Sequence, residues 1–201
     1  MTVTHSNAPT LTLAEAIWPA RSEISGPRAV ILATIGVALL WISAKIQIDI
    51  WPVPITMQTF VVLTLGLAYG ARLGAATVVT YLVAGGIGLP VFAGDWSEGG
   101  GFVHLYGPTA GYLVGFAVAA WIGGMLAERG WDRSLPLAAA AMVIGNLVIY
   151  ALGVAWLAHL FGIGTAVTSG LLPFLFGDAL KIALGAVTLP LAWRLIGRRS
   201  R

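Results

Sequence analysis

The sequence predicts an all-α membrane protein, a compact bundle of six transmembrane helices with N- and C-termini in the cytoplasm. Three observations predict it. Hydrophobic residues make up 58% of the 201-residue chain and charged residues only 9%, against about 25% charged in an ordinary soluble domain. Long apolar runs recur along the chain, separated by Gly, Pro and charge. When those runs are threaded alternately through a bilayer, the loop and tail arginines collect on one side.

Residues 1–28 form a mixed, polar lead-in without the basic start and apolar centre of a signal peptide. They are expected to be cytoplasmic, with the stretch Leu11 to Trp18 lying on the membrane surface. Residues 29–196 form the six-helix domain, and 197–201 a basic cytoplasmic tail. The spans are expected at Ala29 to Lys45, Ile55 to Tyr69, Ala75 to Phe92, Thr109 to Leu126, Leu135 to Phe161 and Leu172 to Ile196. A crossing needs about 20 apolar residues, so the second run is short and is expected to be tilted, flanked by re-entrant backbone, or extended into the Pro-rich stretch before it. With spans of that length the chain has no room for a soluble catalytic or ATP-binding domain.

Arg21, Arg28, Arg72, Arg129, Arg133, Arg194, Arg198, Arg199 and Arg201 all fall on one side of this threading. The positive-inside rule makes that side the cytoplasm. Lys45, at the end of the first span, and Lys181, inside the last, stand outside the pattern. The net charge of +3 therefore orients the chain and gives no reason to expect nucleic acid.

Three outer connections follow. Ile46 to Pro54 is stiffened by Pro52 and Pro54. Ala93 to Pro108 carries Asp95, Trp96, Glu98, a Gly99-Gly100-Gly101 run, His104 and Tyr106, and Gly162 to Gly170 has no charge. Long Gly-rich loops with aromatics are where lids and binding surfaces tend to sit. In the first span Ala29 and Ala33 stand four apart, a spacing that lets helix backbones approach; they serve either internal packing or docking of another membrane subunit.

Asp178 and Lys181 lie three residues apart in the last run, on one helix face. Ionisable residues within a span cost roughly 2.5–3.5 kcal/mol each on insertion scales, so a functional site is the default reading. The alternative is a self-satisfied ion pair that locks packing. Among other polar groups, Gln58 follows the Pro-rich entrance and is a candidate wall residue, and Asn146 fits an interhelical hydrogen bond or a ligand contact. Trp51, Trp96 and Tyr112 are at or beside the structured outer loops, where an apolar ligand would be covered. Trp41, Trp121 and Trp193 read as interfacial anchors.

Enzyme readings find little support. There is no cysteine, which excludes thiolate chemistry. His5, His104 and His159 form no His-Glu-x-x-His element, and neither Gly85-Gly86-Ile87-Gly88 nor Gly99-Gly100-Gly101 ends as a P-loop does. No metal or cofactor is expected, and ATP-driven work would have to come from a partner. A stand-alone secondary transporter or channel predicts ionisable groups spread over several spans, whereas here they concentrate in the last.

Four ordered runs resemble one family: Trp51-Pro52-Val53-Pro54-Ile55-Thr56-Met57-Gln58-Thr59; Gly85-Gly86-Ile87-Gly88-Leu89-Pro90-Val91-Phe92-Ala93-Gly94; Gly107-Pro108-Thr109-Ala110-Gly111-Tyr112-Leu113-Val114-Gly115-Phe116; and Gly177-Asp178-x-x-Lys181. They resemble the BioY family, the biotin-binding S components of energy-coupling-factor transporters. The resemblance spans Ala44 to Lys181. It implies a six-helix bundle in the cell membrane that captures biotin near the outer face, with a transmembrane coupling subunit and ATPase subunits as partners. Ala110 departs from the family's usual Gly-Pro-Thr-Gly-Gly-Tyr, and the loop Asp95 to Gly99 is more acidic than usual. For biotin, the resemblance implies Asp178 as acceptor of ureido N–H groups, and Lys181 as donor to the ureido carbonyl or as the partner that keeps Asp178 ionised. Trp51, Phe92, Trp96 or Tyr112 would face the sulfur ring. For the ligand carboxylate, Lys45, His104 and helix N-termini remain open.

Overall fold

A computed structural model describes residues 11–19, 26–94 and 102–199 of the chain. Among these residues the regular elements are helices and one short two-stranded β ribbon, in the order α1 (Leu13–Ile17), α2 (Gly26–Lys45), β1 (Gln47–Ile48), β2 (Ile55–Thr56), α3 (Gln58–Tyr69), α4 (Ala71–Gly86), α5 (Phe102–Tyr106), α6 (Ala110–Ala127), a 3-10 turn (Trp131–Arg133), α7 (Leu135–Phe161), α8 (Ile163–Gly170) and α9 (Leu172–Arg199). Four helical stretches among the described residues are long and apolar enough to cross a membrane: Gly26–Lys45, Ala110–Ala127, Leu135–Phe161 and Ile163–Ile196.

Helix α3 has 12 residues, which at 1.5 Å per residue reach about 18 Å, short of a hydrocarbon core of about 30 Å. The missing length lies before it. The chain leaves α2 into the antiparallel ribbon that pairs Gln47 with Thr56 and Ile48 with Ile55. Pro52 and Pro54 lack the N–H needed to lengthen that ladder.

Helix α4 begins four residues earlier than expected and ends six earlier. Gly70 adopts φ +83°, a conformation that L side chains rarely take, so the chain reverses at once and α4 starts at Ala71. Its far end breaks at Ile87-Gly88-Leu89-Pro90, where Gly88 is at φ +102° and Leu89 precedes proline. The outer connection Gly162 to Gly170, expected as a loop, is largely the helix α8.

Helix α6 lies at the centre, packed against α3, α4 and α7. These contacts need small residues: a Cβ on Gly66 would stand 2.6 Å from the Ala120 carbonyl oxygen, and one on Gly115 would stand 2.9 Å from the Ile149 Cα. Leu40, Leu63, Leu67, Tyr81, Met142 and Ile149 fill the interior. The outward stripe Leu180, Leu184, Val187, Leu191 and Leu195 on α9 stays exposed, at a spacing that gives one apolar face suited to lipid. Ala29 and Ala33 are half-buried, on the side of α2 where Gly36 and Leu40 are buried, and a Cβ on Gly36 would meet Thr77, Tyr69 and Leu65. The line of small residues thus runs along the packed side of α2.

The arginine-bearing end of the bundle is tied together by side chains. Thr12 and Glu15 form a capping box that starts α1. The α1 segment is held by Arg28 Nη2, donating to the Ala14 carbonyl at 2.8 Å, and by Arg133 Nη2, donating to the Leu11 carbonyl at 3.2 Å. Leu13 and Ala14 are buried while Ile17 and Trp18 are exposed. Trp193, expected as a membrane anchor, donates Nε1–H to the buried Asp132 Oδ2 at 2.6 Å and lies under the Arg133 guanidinium, 4.5 Å from the ring centroid.

Candidate binding site

At the opposite end, the ribbon, the 87–94 turn, α5 and the first turns of α3 and α6 enclose a cavity of about 630 Å³. That is within the range of small-molecule sites, roughly 300–1,000 Å³. The walls differ in chemistry.

One wall is ionic. Lys181 Nζ donates to Asp178 Oδ1 at 2.6 Å, to the Thr56 carbonyl at 2.7 Å and to Thr59 Oγ1 at 3.0 Å. Its three N–H bonds are thereby all used. The Thr59 hydroxyl donates to Asp178 Oδ1 at 3.0 Å, and the Tyr150 hydroxyl donates to Asp178 Oδ2. Asp178 is 2% exposed and Lys181 8%. Charges this buried persist only when paired and fully hydrogen-bonded, and here both conditions hold. Helix α9 makes the pair by its i, i+3 spacing, α3 contributes Thr59, and α7 contributes Tyr150.

Lys181, Tyr150, Thr56 and Thr59 line the cavity, whereas Asp178 stands behind them. The carboxylate therefore fixes the positions of its neighbours rather than facing the cavity.

A second network fixes the adjoining wall. Gln58 Nε2 donates to the Tyr81 hydroxyl at 2.7 Å, and that hydroxyl donates to the Val91 carbonyl at 2.8 Å. Lys45 Nζ donates to the Phe92 carbonyl at 2.8 Å and the Gly94 carbonyl at 3.1 Å, while Gly94 N–H donates to Gln47 Oε1 at 3.0 Å. These bonds pin the 87–94 turn, and with it the Phe92 ring. Phe92 meets Tyr81 edge-on and His104 at a tilt, both with centroids 5.5 Å away.

The third wall is aromatic. Tyr112 stacks on Phe174 at 6.3 Å between centroids, and its hydroxyl donates to the Gly170 carbonyl at 2.8 Å. Gly153 on α7 leaves room for the ring: a Cβ there would overlap three of its carbons. Trp51 is 72% exposed at the rim and meets Phe161 edge-on at 5.4 Å.

Of the residues singled out from the sequence, Gln58, Trp51, Phe92, Tyr112 and Lys181 share this cavity. Asn146 does not line it. It is buried one helical turn from Tyr150 with its Oδ1 unpaired. Trp96 lies outside the described residues. Thr59, at the end of the first of the four runs, and Tyr150, which follows Asn146 by four residues and so shares its helix face, complete the ionic wall. Among the described residues no group of His, Asp or Glu is placed to hold a metal ion.

The sequence model of the BioY family matches residues 14–198. The chain belongs to the BioY family. Similar members include the "Probable biotin transporter BioY" of Pyrococcus horikoshii, 39% identical over 160 residues that cover 80% of this chain and 93% of that one. The "Biotin transporter BioY" of Thermotoga maritima is 39% identical over 161 residues, 80% of this chain and 92% of that one. The fold is similar to the crystal structure of the S-component for biotin from an ECF-type ABC transporter, with TM-score 0.73 at 24% identity, covering 87% of this chain and 95% of that one. These relatives are named as transport proteins, which places this multi-pass chain with transporters and not with enzymes. The four runs through which it resembles the BioY family are distant in sequence, yet each contributes a side chain to the walls of the one cavity: Trp51, Phe92, Tyr112 and Lys181.

Proposed function

We propose that this chain is the membrane-embedded subunit that captures biotin from the outer side of the cell membrane for ATP-driven import. The observation that carries the reading is the buried, charge-balanced Asp178–Lys181–Thr59–Tyr150 network in the wall of a cavity that also presents the rings of Phe92, Tyr112 and Phe174. Biotin combines a ureido group, with two N–H donors and one carbonyl, and an apolar sulfur ring. Lys181 turns one N–H from the Thr56 carbonyl to the ureido carbonyl. The Tyr150 hydroxyl oxygen and Gln58 Oε1 accept the ureido N–H groups. Asp178 is the positioning residue behind them, and Phe92 and Tyr112 hold the sulfur ring. The biotin named in the relatives and in the solved S-component supports the substrate.

In this reading α3 and α4, with the ribbon, add two crossings to the four long ones. Six crossings return both termini to the side carrying Arg28, Arg72, Arg129, Arg133 and Arg194, the cytoplasm. The chain itself needs no cofactor. A transmembrane coupling subunit and ATPase subunits supply the energy, and the bundle reorients on docking to release the vitamin inside.

Proteoliposomes test the division of labour. Labelled biotin is expected to enter vesicles only when the coupling and ATPase subunits and ATP are present. Uptake at the same rate by this chain alone would overturn the subunit reading in favour of a stand-alone transporter.

A further inference from the structure

The ionic wall leaves the ligand's carboxylate unaccounted for. Lys181 and His104 are the lining side chains that can carry positive charge. Lys181 is neutralised by Asp178 and held by Thr59, and the N–H it shares with the Thr56 carbonyl is the one assigned above to the ureido group. Lys45 turns its ammonium to the Phe92 and Gly94 carbonyls and is not part of the lining. Asp49, also in the lining, repels an anion. His104 differs from all of these: its Nδ1 is shielded from solvent and has no hydrogen-bond partner, while its ring rests against Phe92.

A buried ring nitrogen without a partner costs roughly 1–3 kcal/mol whether it carries a proton or a lone pair. Apart from Lys181, no other lining side chain among the described residues can offer a cationic donor to an anion, so the imidazole is the group left to meet a carboxylate. Three residues later the chain reaches Gly107, Pro108 and Thr109, which also line the cavity and lead into the 18-residue α6. The Thr109 side chain makes no capping bond, so the partially positive first turn of α6 adds to the same region.

We propose that His104 is the carboxylate-recognising residue of this cavity, its imidazole N–H donating to one ligand oxygen and the start of α6 adding a favourable field. The inference rests on biotin as the ligand and adds the polarity of binding: ureido group on Lys181 and Tyr150, carboxylate on His104. It also makes the chain selective for the free acid over neutral derivatives.

The test compares biotin with biotin methyl ester in calorimetric titrations of the purified full chain and of H104F and H104Q. Phenylalanine keeps the ring against Phe92 but has no nitrogen. Wild type is expected to bind the acid about tenfold or more tightly than the ester, the scale of one hydrogen bond to a charged group. H104F is expected to lose that preference while still binding the ester, and H104Q, with a neutral donor, to fall between. A preference undiminished in both variants, or no preference in wild type, overturns the assignment of His104 and leaves the biotin reading standing. Wild type that binds neither compound overturns both.

Discussion

Removing one partner of the buried pair should be worse than removing both. K181M leaves the Asp178 carboxylate with only the Thr59 and Tyr150 hydroxyls, and D178N leaves the Lys181 ammonium with neutral acceptors. With the two residues 8% and 2% exposed, each single change strands a charge away from water, at a cost of about 3–5 kcal/mol. D178N/K181M removes both charges and leaves Asn and Met of similar volume. It is expected to be no less stable than either single variant, which means a coupling energy of about 3 kcal/mol opposing the sum of the singles. Chemical unfolding in detergent, followed by tryptophan fluorescence, reads all four proteins. The double variant should refold the bundle yet bind no ligand at the ionic wall. If the two single effects add within about 0.5 kcal/mol, the pair is not the coupled unit described here, and the account of Asp178 as the residue that positions Lys181 fails.

Other expectations follow from single contacts. Y150F removes the donor to Asp178 Oδ2 and should weaken biotin binding about tenfold in a titration, with unfolding free energy lowered by about 1–3 kcal/mol. G153A would raise helix propensity by about 1 kcal/mol, but its methyl overlaps the Tyr112 ring. Net destabilisation of about 1–3 kcal/mol is expected, with a loss of affinity that a stable, tight-binding G153A would refute. At the arginine-bearing end, burial raises the Asp132 carboxyl above its ordinary value, against the opposing Trp193 hydrogen bond and the nearby Arg133. A raised carboxyl favours the folded state below the ordinary carboxylate range and loses that contribution as pH rises through the folded value. Stability of wild type relative to D132N should therefore fall as pH rises from the ordinary value through the raised one; a pH-independent difference would contradict it.

The sequence carried the helices whose ends are local events. Helix α7 runs over Leu135–Phe161 as expected because Pro136 stands in its first turn and Gly162 closes it, signals readable without tertiary contacts. The limits of α4 were displaced because the apolar pattern continues through Ile87 to Phe92 while the backbone turns at Gly70 and Gly88. Hydropathy does not report φ.

The site divides in the same way. Asp178 and Lys181 meet through helical spacing and could be paired in advance. Thr59 stands 119 residues from Asp178, so nothing local announces it. The buried position of Asp178 behind Lys181 and Tyr150 likewise depends on how α3, α7 and α9 pack. His104 was one of several candidates until Lys45 proved committed to the Phe92 and Gly94 carbonyls.

The central claim is that this cavity holds biotin by means of the Lys181–Asp178 wall. Calorimetric titration of the detergent-purified chain with biotin tests it most directly, repeated on D178N. Saturable binding at one site per chain in wild type, weakened about tenfold or more in the variant, is the predicted result. No saturable binding by folded wild type, or equal affinity in the two proteins, would contradict it.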